Sequence, residues 1–155
     1  MALGPRHRQS INVGGAWFLL SLLFAVHTTD EAFTDFIGYY NATVLTLYGS
    51  FSWFPRIDLS FREWLIALVA LNSVLMLLTP VAYRNSRFVR SIAYAFASAM
   101  LLDGLGHVLL TLRGRTVGSA HFSGTSPGFY SAPLLLAGAV FLLVRLRSGD
   151  DPSPE

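Results

Sequence analysis

The sequence predicts an all-α integral membrane protein, a bundle of four transmembrane helices with both termini in the cytoplasm. Three observations lead there. Of the 155 residues, 53% are hydrophobic and only 13% are charged, roughly half the charged share of a soluble domain. Mean hydropathy is +0.51. The apolar residues also gather in stretches close to the roughly 20 residues that cross a bilayer as a helix.

Residues 1–12 are polar and carry Arg6, His7 and Arg8 ahead of an apolar run. No small-x-small cleavage pattern follows, so an uncleaved first span is expected rather than a signal peptide. That span covers residues 13–40 and is long because its second half is polar. A second, residues 64–83, is interrupted by Asn72 and ends near Pro80. The third covers residues 89–112. It follows the second after the short turn of Arg84, Asn85, Ser86 and Arg87, which implies an antiparallel hairpin. The fourth covers residues 127–146, with Pro127 suited to a helix start. Together they form one membrane domain over residues 13–147. The tail, residues 148–155, has two prolines and three acids and is expected to be disordered.

Arginine sets the orientation. Arg6, Arg8, Arg84, Arg87, Arg90, Arg145 and Arg147 lie on one side of the four spans, and Arg56, Arg62, Arg113 and Arg115 on the other. The positive-inside rule therefore places the termini inside. All eleven basic residues are Arg and none is Lys. Lys codons are AT-rich, so the bias suggests a GC-rich bacterial genome and hence the bacterial cytoplasmic membrane. The net charge of +2 is spread through the loops, and nothing points to nucleic acid. With no Cys, disulfides, thiolate catalysis and thiolate metal sites are excluded.

The informative feature is a set of ionisable residues inside these apolar segments. Charge in hydrocarbon costs at least about 2.5–3.5 kcal/mol per residue, so a cluster of it suggests a site. His27, Asp30 and Glu31 are three and four residues apart and can share a helix face. Asp103 and His107, at i and i+4, share another. His27 lies fourteen residues after Val13 and Asp103 fourteen after Val89, while Glu31 and His107 lie eighteen after the same starts. Spans one and three cross in the same direction. If those starts share a depth, His27 is level with Asp103 and Glu31 with His107, each imidazole facing a carboxylate across the seam. Asn72 falls at a similar depth, toward the outer leaflet. Tyr130 and Ser131 are expected at the mouth. The loop of residues 41–63 is rich in aromatics, with Tyr48, Phe51, Trp53 and Phe54 close together. They read as an interfacial belt or as a lid, in which Trp53 would meet substrate. His121, in a Gly/Ser-rich loop, is expected to be solvated.

Such pairs can also form only to satisfy one another and fix helix register, but five ionisable groups exceed what register requires. Two chemistries use them. In one, Glu31 or Asp30 donates a proton, His107 and Asp103 accept and orient, and His27 modulates the acid. Asn72 would hydrogen-bond the substrate, and no cofactor is needed. In the other, His27, Glu31, Asp103 and His107 hold iron, zinc or manganese. The spacing is not that of di-iron bundles, which carry Glu-x-x-His on two helices.

The string His27-Thr28-Thr29-Asp30-Glu31 resembles the motif that names the HXXEE family of small integral membrane proteins. Gly106-His107, and Ser126-Pro127-Gly128 opening the last span, are similar to that family too. The resemblance covers residues 15–145, with Asp30 in place of the family's first Glu. It implies His27, Asp30, Glu31 and His107 as the functional positions but carries no settled activity. Four spans with intramembrane His and acids also resemble, in architecture alone, the emopamil-binding sterol isomerase (EXPERA) group, and fold does not dictate function.

The expectation is therefore a membrane-embedded enzyme of isomerase or cyclase type, with an acid–base pocket for an isoprenoid, sterol-like or polyene substrate. The alternatives are a metal-dependent oxygenase or hydrolase built on the same residues, and a non-enzymatic lipid-binding protein or proton-coupled carrier. A carrier of this length would act as a homo-oligomer, and the chain shows neither inverted repeats nor broken midplane helices.

Overall fold

A computed structural model describes residues 12–84, 86–116, 121 and 124–148. The arginines of the N-terminal segment and nearly all of the acidic tail lie outside the described residues. Among the described residues six helices follow one another: α1 (Val13–Phe33), α2 (Phe36–Ser50), α3 (Phe61–Leu77), α4 (Thr79–Tyr83), α5 (Arg87–Arg113) and α6 (Ala132–Ser148). Among the described residues, three segments are long and apolar enough to cross a membrane: Val13–Phe33, Phe61–Tyr83 and Arg87–Arg113.

Helix α1 is the axis of the bundle. The Asn12 side chain caps it by accepting from Gly15 N at 2.9 Å, which satisfies one of the amides that every helix start leaves unpaired. Half of its apolar window is buried, against 11% for the α3–α4 segment, so α3 and α4 lie at the periphery. Trp17 is fully buried, packs on Phe96 with ring centroids 5.3 Å apart and donates its indole N–H to the Leu75 carbonyl at 2.8 Å. That bond pins α3 to α1 and pairs the indole N–H, which apolar surroundings would otherwise leave stranded. Helix α6 packs against α5 and α1 through the buried Leu135, Gly138, Ala139 and Leu142. Lipid is as apolar as leucine, so small residues at the seams let close packing hold helices together. A Cβ on Gly104 would stand 2.8 Å from Leu136, which marks how tightly α5 and α6 meet.

The structure corrects several boundaries. The first span was expected to reach residue 40, but α1 stops at Phe33. Asp35 adopts a left-handed conformation (φ 55°, ψ 41°) and its side chain caps α2. Few non-glycine residues take that conformation; Asp is among the tolerant ones. The aromatic segment expected as a loop over residues 41–63 is helical to Ser50. Its remainder is held by Asn41, which donates to the Leu59 carbonyl at 2.8 Å and accepts from Leu59 N at 3.1 Å. Where the second span was expected over residues 64–83, helix begins at Phe61 and breaks at Leu78 between α3 and α4. There Pro80 has no N–H to continue the helical ladder. The last helix was expected from Pro127 but begins at Ala132. Residues 127–131 form a turn instead, with Gly128 at φ 74°, a backbone angle incompatible with helix.

Candidate metal centre

Helical periodicity puts His27 and Glu31 on one face of α1, and Asp103 and His107 on one face of α5. The two faces meet. His27 Nε2 stands 3.1 Å from Asp103 Oδ2, and His107 Nε2 stands 3.3 Å from Glu31 Oε1. The within-helix approaches are longer: 3.7 Å for His27 to Glu31 and 3.6 Å for His107 to Asp103. Each imidazole therefore faces a carboxylate across the seam, with the rings 4.8 Å apart at 68°. One donor atom from each residue lies within 4.8 Å of the others, so the group could hold a metal ion. The four approaches run from 3.1 to 3.7 Å through both Asp103 oxygens.

The surroundings fix which nitrogen points inward. Ser131 Oγ donates to Asp30 Oδ2 at 2.8 Å, and Ser131 N donates to the same oxygen at 2.8 Å. The single hydroxyl proton is thereby committed, so His27 Nδ1–H, 2.8 Å from Ser131 Oγ, is the donor to it. This assignment follows from the network of partners. It turns His27 Nε2 inward, buried and facing the Asp103 and Glu31 carboxylates. A positive charge between that nitrogen and the carboxylates, a proton on the ring or a bound metal ion, makes the contact attractive. Metal-binding histidines commonly donate their other ring N–H to a neighbouring acceptor, which fixes the tautomer and the ring orientation.

A roof closes the site. Ser126 donates to the His107 carbonyl at 2.8 Å, and its amide donates to Thr111 Oγ1 at 2.9 Å, which ties the 126–131 turn to α5. Gly128 N donates to Thr34 Oγ1 at 3.1 Å, which ties it to α1. A Cβ on Gly128 would stand 2.9–3.0 Å from His27 Cε1, Glu31 Cγ and His107 Cε1. Three of the four candidate ligands are buried, with His27 0%, Glu31 5% and His107 5% exposed. Asp103 keeps 38% of its side chain exposed and marks the open edge. Beside His107 lies an apolar cavity of about 180 Å³ bordered by Phe36, Tyr39, Tyr40, Ser126 and Pro127. His107 Nδ1 is buried and unpaired.

The residues expected around one site fall into three groups. His27, Glu31, Asp103 and His107 come together. Asp30 and Ser131 stand one layer out, Asp30 reaching His27 only through Ser131. Asn72, Tyr130 and Trp53 do not join them. Asn72 borders a groove between α1 and α3, because its position on α3 turns it to the opposite neighbour of α1. Tyr130 is 70% exposed and leans edge-on against Phe129. Trp53 is 78% exposed and contacts Phe51 and Phe54. His121 is exposed, as its loop suggested. Sequence reasoning missed Thr34, Thr111 and the roofing role of Gly128. The Ser-Pro-Gly string was a turn signal for the last.

No family model, curated protein or solved structure significantly matches this chain.

Proposed function

We propose that the chain is a four-span membrane metalloenzyme in which His27, Glu31, Asp103 and His107 bind one first-row divalent ion and act on a lipophilic substrate. The observation that carries this reading is the convergence of four donor atoms within 4.8 Å, with His27 Nε2 turned inward by the contact of Nδ1 with Ser131. Two imidazoles with two carboxylates suit iron, zinc or manganese. When bound, the ion would supply Lewis acidity or an activated water. The chain's own residues do the rest. Asp103 leaves one edge open, Gly128 lets the roof sit close, and the cavity beside His107 takes the apolar reacting end. His107 Nδ1–H, with Nε2 given to the ion, is available to a substrate oxygen.

In this reading α6, with 17 residues, crosses as the fourth span, helped by the turn that precedes it. Both termini face the cytoplasm of a bacterial cell, and the chain belongs to the HXXEE family. A second reading rests on the chain His27–Ser131–Asp30, a ready path for a proton. Here the same pocket performs acid–base isomerisation or cyclisation of an isoprenoid or polyene, with Glu31 as donor and no metal.

Thermal unfolding of chelator-treated protein tests the choice. A bound ligand stabilises by about 2.7 kcal/mol at a hundredfold excess over Kd. Zinc, manganese or ferrous ion is expected to raise the midpoint of the wild type and to leave His107→Ala unmoved. If none of the three ions moves the wild type, the metal reading fails and the acid–base reading takes its place.

A further inference from the structure

A second cavity lies on the other flank of α1. A groove of about 730 Å³ runs between α1 and α3, within the 300–1,000 Å³ range of small-molecule sites. Ala25 and Ala32 floor it, Leu68 and Met76 wall it, and Thr28 and Asn72 face it. It lies along an α3–α4 segment of which only 11% of the apolar window is buried. Exposed apolar residues of α3 such as Ile66, Val69 and Val74 suit a hydrocarbon surrounding.

Two features set it apart from a gap filled by bulk acyl chains. Thr28 is 6% exposed, yet its Oγ1 pairs with no described group, and Asn72 Oδ1 is likewise buried and unpaired. The neighbouring Thr29 shows the ordinary solution, donating to the Ala25 carbonyl at 2.9 Å. A buried polar group left without a partner costs about 1–3 kcal/mol, and in hydrocarbon no water relieves it. The lining also contains no ionisable side chain, so nothing there balances a carboxylate or phosphate. Asn72 Oδ1 requires a donor, and the Thr28 hydroxyl takes either role. A neutral alcohol meets both demands, whereas a carboxylate brings a charge that the lining does not balance and has no donor for Asn72 Oδ1.

We propose that the α1–α3 groove binds a neutral long-chain lipid alcohol, its hydroxyl held by Asn72 and Thr28 and its chain lying along α3. The site is separate from the cluster of His27 and His107 and does not depend on a metal there.

Photolabelling in lipid nanodiscs tests it, with a diazirine-bearing hexadecanol as the probe and labelled peptides mapped by mass spectrometry. Saturable labelling within residues 25–32 and 65–77 is expected, competed by unlabelled hexadecanol and not by palmitate. Asn72→Leu removes the acceptor, and Ala32→Phe fills the groove while keeping every polar group. Each is expected to weaken labelling at least about tenfold, the first by losing a hydrogen bond that leaves a polar partner unpaired and the second by occupying the space of the chain. The second variant decides the matter if the first does not fold. Labelling that never saturates, equal competition by palmitate, or unchanged labelling in the folded variants would mean that bulk lipid fills the groove. Cross-links from α3 to a second chain in place of probe would mean that a copy of the protein covers it. Either overturns the proposal.

Discussion

On the flank of α1 that meets α5 and the 126–131 turn, four ionisable residues bring their donor atoms within 4.8 Å of one another. On the flank that meets α3, two uncharged oxygens, Thr28 Oγ1 and Asn72 Oδ1, are buried with no partner. The first flank is organised inward and supported from outside by Ser131 and Asp30. The second is open and unsupported. The contrast teaches that burial of a polar group does not by itself mark chemistry. What separates the two flanks is whether the surrounding groups orient the buried atoms toward a common point. A site built to hold an ion needs that second layer, while a site for a single hydroxyl needs only the unpaired atoms and room beside them.

Substitutions should break the contrast unequally. The largest effect is expected for Gly128→Val. Its side chain would meet His27, Glu31 and His107 at about 3 Å on a backbone angle that favours glycine, so metal content and thermal midpoint should both collapse. Glu31→Gln keeps the shape but removes a charged ligand, and isothermal titration should show metal affinity down by more than about a hundredfold, beyond what outer-shell changes cost. Ser131→Ala removes the hydroxyl held against His27 Nδ1 without replacing a ligand. A loss of about 10–100-fold in affinity is expected, with the ion still bound at high concentration; no loss would remove Ser131 from the site. Thr28→Val is the smallest. It exchanges an unpaired hydroxyl for a methyl of similar shape, so stability should stay constant or rise by about 1 kcal/mol, with metal affinity unchanged. A clear destabilisation there would mean that the hydroxyl is paired after all.

Much of the first flank was legible in the sequence because it rests on helical periodicity alone. Spacings of four within α1 and α5, and equal offsets along the two spans, suffice to pair His27 with Asp103 and Glu31 with His107. What could not be read depends on contacts remote in sequence. The break at Asp35 is a backbone choice that an ordinary polar residue conceals. Pro127 reads equally well as a helix start or a turn, and only docking of Ser126 on Thr111 and of Gly128 on Thr34 decides for the turn. Asn72 has the right depth for the site, but depth does not specify which neighbour a helix face meets. The position of α3 around α1 sends it to the groove instead.

Elemental analysis of the purified protein bears most directly on the central claim, comparing the wild type with a His27→Ala/His107→Ala double variant. The metal reading predicts stoichiometric iron, zinc or manganese in the wild type and its loss from the folded variant. A metal-free wild type, or equal metal in both proteins, would contradict it.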